Sequence, residues 1–125
     1  MAGTNQAKVT INNITLTQGK GQNDGPNGYN VGGAIYATDN CNITITDSKI
    51  THNNAEQYGG AIFAWNSQVN INNTNINNNN ATQGGAIDTY KGTINITNTT
   101  LNNNTATNDG GANNTKSNLN NNIIF

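Results

Sequence analysis

Cys41 is the only cysteine of the chain, so no disulfide can form within it and no disulfide framework holds the fold. Charge is equally scarce. Only 9% of the residues are charged and the net charge is −1, which removes the basic footprint of a nucleic-acid binder. The low charge also argues against an ordinary disordered segment, which usually carries a high net charge. No apolar run approaches the length of a membrane span, so direct insertion of this segment into a bilayer is not expected. The first residues, MAGTNQAK, lack the apolar core of a secretory signal. Hydrophobic residues make up only 32%, too few for a conventional globular core.

About a quarter of the chain is asparagine. Asparagine favours neither helices nor strands. A bias of this kind fits a prion-like disordered tract or a repeat whose few apolar residues sit at regular positions. Register decides for the repeat. Gly-Gly-Ala recurs at Gly32-Gly33, Gly59-Gly60, Gly84-Gly85 and Gly110-Gly111, in steps of 27, 25 and 26. Between the glycine pairs, Val9, Ile43, Val69 and Ile94 align. So do Ile11, Ile45, Ile71 and Ile96, and then Leu16, Ile50, Ile76 and Leu101. Asn53, Asn79 and Asn104 follow, and Ala55, Ala81 and Ala106 come two residues later.

Periods in the twenties indicate a solenoid. Ile43-x-Ile45, Val69-x-Ile71 and Ile94-x-Ile96 alternate at strand spacing, and no helical periodicity occurs. A leucine-rich repeat has a similar period but needs many more leucines. The expectation is an all-β, right-handed, single-stranded parallel β-helix with three short strands per coil and about four to five coils of 25–27 residues. Its parts are an N-terminal extension (1–7), a first irregular coil (8–31), full repeats at 32–58, 59–83 and 84–109, and a partial repeat at 110–125. Residues 19–28, with the only proline, look like an excursion from the first coil.

In such a stack Asn53, Asn79 and Asn104 form a hydrogen-bonded ladder. Asparagine also tolerates the left-handed corners, and the glycine pairs allow a sharp bend. No capping repeat is evident, so the chain is expected to be part of a longer protein or a unit that stacks end to end.

Gly-Gly-Ala-Ile at 32–35, 59–62 and 84–87, combined with the apolar-x-x-Asn-x-Ala element at 50–55, 76–81 and 101–106, resembles a known repeat. It is similar to that of the chlamydial polymorphic outer membrane proteins. It resembles still more the Asn/Thr-rich adhesin-like surface proteins of methanogenic archaea. The bacterial pattern has Phe where this chain has Ile or Leu. The resemblance covers residues 8–125 and implies a cell-surface, extracellular β-helix used in adhesion.

Polysaccharide lyases and glycosidases of this architecture need clustered carboxylates or a calcium site. Asp24, Asp39, Asp47, Glu56, Asp88 and Asp109 do not align with one another, so no catalytic residue, metal or cofactor is expected. Asp24 and Asp109 read as turn residues. His52 aligns with Asn78 and Asn103, and Cys41 has no aligned partner.

One outer face departs from Asn and Thr. With Ile35, Ile62 and Ile87 inward, Tyr36, Phe63 and Asp88 point outward, and Trp65 and Tyr90 lie two residues further. This aromatic face suits a sugar ring or a protein partner. The competing reading packs it against the loop 18–29 or a neighbouring domain. A second outer face, Thr10, Thr44, Asn70 and Asn95 beside Asn12, Thr46, Asn72 and Thr97, is a solvated sheet or an ice-ordering one. Eight Asn-x-Ser/Thr sequons (Asn13, Asn42, Asn72, Asn80, Asn95, Asn98, Asn103, Asn113) matter only if the chain is exported. The expected function is a non-enzymatic adhesin-like module that binds surface glycan or a protein partner, or serves as a stalk. The alternatives are a self-stacking structural unit, a degenerate lyase or glycosidase, and an ice-binding solenoid.

Overall fold

The structure is a computed structural model that describes residues 6–23, 28–109 and 113–124, with those from 109 onward as backbone. It is all-β. Gly110 and Gly111, and Asp24 with Gly25-Pro26, lie outside the described residues. The strands in chain order are β1 (Lys8–Asn12), β2 (Thr15–Thr17), β3 (Gln22–Asn23), β4 (Asn30–Val31), β5 (Ile35–Ala37), β6 (Asn42–Thr46) and β7 (Lys49–Thr51). They continue with β8 (Ile62–Trp65), β9 (Gln68–Asn72), β10 (Asn75–Asn77), β11 (Asn80–Gln83), β12 (Ile87–Asn102), β13 (Thr105–Asp109) and β14 (Asn113–Ile124).

Ten of these strands join one strongly curled, half-barrel sheet in which the paired strands run parallel. The curl arises in β12, whose beginning pairs with β8, its middle with β9 and its end with β10. Lys91 and Asn98 have positive φ inside this strand, so the chain turns there without leaving the ladder.

Aligned apolar residues become register partners. Ile11, Ile45, Ile71 and Ile96 are Cα partners in succession, as are Leu16, Ile50, Ile76 and Leu101. Ile35, Ile62 and Ile87 form a third column. The three columns meet in one hydrophobic cluster, with Ile45, Ile50, Ile62, Ile71, Ile76, Ile87, Ile94 and Ile96 fully buried. Each such isoleucine contributes about 1.5–3 kcal/mol relative to exposure. With so few aliphatic side chains, the remaining cohesion must come from polar columns.

Asn53 and Asn79 are buried in such a column. Asn53 Nδ2 donates to Asn79 Oδ1 at 3.0 Å, and Asn79 Nδ2 to Asn104 Oδ1 at 3.0 Å. The same amides donate to the carbonyls of Leu16, Ile50 and Ile76. Their oxygens accept backbone N–H groups from the preceding repeat. Partners in the column stand 26 or 25 residues apart, but Gly19 and Asn53 stand 34 apart. The extra length is the excursion, in which β3 and β4 make an antiparallel pair.

A second polar column was not apparent from the sequence. Ser48, Thr74 and Thr99 are buried, and each hydroxyl donates to the carbonyl two residues back. Each also accepts a backbone N–H from the preceding repeat. Cys41 occupies the equivalent position one repeat before Ser67, a hydroxyl and not a second thiol. Its N–H donates to Ser67 Oγ and its thiol to the Thr38 carbonyl.

The corners account for part of the asparagine content. Asn13, Asp47, Asn73 and Asn98 adopt positive φ at one corner, and Gln18, His52, Asn78 and Asn103 at the next. Only glycine, asparagine and aspartate visit this region at little cost. His52 is therefore a corner residue whose backbone, rather than its imidazole, fits the pattern.

Candidate cleft between two outer faces

Register places Tyr36, Phe63 and Asp88 in one column of the β5–β8–β12 face, and Trp65 beside Tyr90. Alternation from the buried Ile35, Ile62 and Ile87 column sends these side chains to the outer side of the sheet. Outward does not mean exposed here. Phe63 is 5% and Asp88 4% exposed, whereas Trp65 is 40% exposed. Part of the face is therefore roofed, in keeping with the competing reading of cover by the segment 18–29, whose Tyr29 meets Tyr58.

The cover comes from a neighbouring short face. Val31, Tyr58 and Gln83 are bridged in parallel just before the glycine corner. Gly59 and Gly84 turn the chain there with φ of 63° and 57°. The turn is tight: a Cβ on Gly60 would meet the Gly85 carbonyl oxygen at 2.1 Å. Across this corner Tyr58 stacks on Phe63, with ring centroids 5.7 Å apart, and Phe63 stacks on Tyr36 at 5.8 Å. Tyr29, at the end of the excursion, meets Tyr58 edge-on at 5.4 Å. Asn30 fixes this approach, because its N–H donates to Gln57 Oε1 and its Oδ1 accepts the Glu56 N–H.

The two faces enclose a hollow of about 160 Å³. Tyr29 and Tyr58 form one wall, Phe63, Trp65 and Tyr90 the other, and Gln83 and Asp88 contribute polar groups. Trp65 and Tyr90 rings lie 4.8 Å apart at 41°. Lys91 Nζ sits 5.6 Å from the Tyr90 ring centroid, within cation–π range.

Of the residues expected to form a binding face, Phe63, Trp65, Asp88 and Tyr90 converge on this hollow. Tyr36 does not line it; it packs behind Phe63. Tyr58, Gln83 and Lys91 were missed. Tyr58 precedes a glycine pair, where Ala55 to Gly59 is one residue longer than Ala81 to Gly84, and that extra length was the available signal. Among the described residues no three of His, Cys, Asp and Glu group closely enough to hold a metal ion. No family model, curated protein or solved structure matches the chain.

Proposed function

We propose that this chain is a module of an extracellular adhesin-like protein, built as a right-handed parallel β-helix of four to five coils, that binds surface carbohydrate without transforming it. The observation that carries the binding reading is the cleft: aromatic rings on two walls with a carboxylate and an amide between them. Ring faces attract the apolar C–H side of a sugar, and buried polar groups fix its orientation. The β-helix reading is supported by parallel register partners that recur every 25–27 residues from β5 to β12 and 34 residues apart across the excursion. The Gly-Gly-Ala-Ile and apolar-x-x-Asn-x-Ala motifs support the adhesin-like assignment and the cell-surface location.

The non-enzymatic reading has two supports. The register partners of Asp88 are Phe63 and Asn114, not a second carboxylate. Asp47 Oδ1 is held by Asn73 Nδ2 at 2.6 Å. Most glycoside hydrolases use two facing carboxylates.

A glycan array tests the binding reading. Wild-type protein should retain a defined set of glycans, and Trp65→Ala and Tyr90→Ala should each lose them. Unchanged retention in both variants would reject the cleft.

A second reading, end-to-end self-stacking, is favoured by the β1–β2 edge, which has no further strand beside it among the described residues and where Val9 is 45% and Ile14 44% exposed. Unpaired strand edges template further strands. Sedimentation should then show association that weakens in Val9→Lys, and a concentration-independent monomer would exclude it.

A further inference from the structure

The balance of groups in the cleft narrows its ligand beyond carbohydrate in general. Tyr29, Tyr58, Phe63, Trp65 and Tyr90 line the hollow, with Phe63 itself stacked on Tyr36 and Tyr58, and Asp88 adds one carboxylate, itself almost fully buried. A bare sugar carries many hydroxyl groups, and each one that is desolvated without a partner weakens binding. Here the polar groups are Asp88, Gln83 and the hydroxyls of Tyr29, Tyr58 and Tyr90, and Asp88 is the one carboxyl group among the lining side chains. An alkylammonium group exploits that carboxyl group. Its methyl groups need no hydrogen bonds, its charge is attracted by every ring face, and a buried carboxylate balances it. Lys91, the next residue in the chain, holds its Nζ 5.6 Å from the Tyr90 ring centroid, a cation–π distance.

We infer that the hollow takes a quaternary ammonium group, of the choline type, carried as a substituent on the surface glycan. The inference rests on the reading of this cleft as the ligand site. Trp65 and Tyr90 face the methyl groups, Tyr58 and Phe63 close the back, and Asp88 supplies the counter-charge. Lys91 competes for the same ring and lowers the affinity.

The chain has one tryptophan, so its fluorescence reports on this site alone. Choline and tetramethylammonium should quench or shift Trp65 emission saturably at constant ionic strength. The neutral isostere 3,3-dimethylbutan-1-ol should bind about tenfold more weakly, since it lacks the charge. Asp88→Asn should weaken choline binding by about tenfold, and Lys91→Gln should strengthen it about twofold through loss of a like charge. Because Asp88 is buried and its replacement can perturb folding, Tyr90→Leu serves as the second variant, with circular dichroism confirming the fold. It too should weaken choline binding. Equal affinity for choline and its neutral isostere overturns the inference, as does choline binding unchanged in folded Asp88→Asn or Tyr90→Leu. Glycan retention that choline does not displace rejects the ammonium site and leaves carbohydrate binding standing. Saturable choline binding without any glycan retention supports the ammonium site and rejects its glycan carrier.

Discussion

Tyr58 lies against Phe63 across the Gly59–Gly60 corner, ring on ring at 5.7 Å. The two residues belong to different faces of the curled sheet, and they meet because the glycine pair brings the faces within one ring thickness. A cleft forms where the stacked columns would otherwise present plain outer walls. The steric closeness of the corner and the concavity of the site are thus one feature.

That closeness gives the first prediction. Gly60→Ala would drive a methyl group into the Gly85 carbonyl oxygen 2.1 Å away and into the backbone of Asn80. Backbone cannot yield cheaply at a packed corner, so about 3 kcal/mol or more should be lost. Gly28→Ala is the control. Among the described residues nothing lies within 4 Å of its added Cβ, and its φ of 67° opposes the change. It should cost about 1 kcal/mol. Urea unfolding of both variants checks the contrast.

The asparagine column gives the second. Asn79 accepts from the Asn53 N–H and Nδ2 and donates to the Ile50 carbonyl and Asn104. Asn79→Ala leaves several of these groups buried without partners, at about 1–3 kcal/mol for each. The loss should reach about 3 kcal/mol and exceed that of Asn104→Ala, because Asn104 is only half-buried. Thermal unfolding of the two variants ranks them, and equal losses would contradict the column as a source of stability.

The corner backbone gives the third. His52 holds φ at 56°, in line with Asn78 and Asn103 at 55° and 50°. A bulkier, non-Asn residue pays a conformational cost there. His52→Asn should raise stability by about 0.5 kcal/mol, offset in part by loss of the Thr51 Oγ1–His52 Nδ1 contact. His52→Val should lower it by about 1–2 kcal/mol, because a β-branched residue fits this region poorly. Melting temperatures of the two variants should move in opposite directions.

The parallel sheet and its register were legible in the sequence because identical side chains recur where strands stack. Ile45, Ile71 and Ile96 mark the same place three times, and one slip would turn all of them outward. The cleft was only half legible. Alternation shows on which side of a strand Phe63 and Asp88 lie, but not what another segment lays over them. Tyr29 and Tyr58 reach the site through the excursion and the glycine corner, which belong to the irregular parts of the repeat. The left-handed corners at Gln18, His52 and Lys91 were hidden for a related reason: these residue types do not signal positive φ, and their position in the column imposes it. The hydroxyl column escaped notice because Ser48, Thr74 and Thr99 look like ordinary surface residues in an Asn/Thr-rich chain.

On the proposed function the cleft, and not the Thr/Asn face, receives the ligand. Amide chemical-shift mapping with a glycan retained on the array separates the two faces. Shifts should concentrate at Tyr58, Phe63–Trp65, Gln83 and Asp88–Lys91. Shifts centred instead on Thr44–Thr46, Asn70–Asn72 and Asn95–Thr97 would contradict that reading.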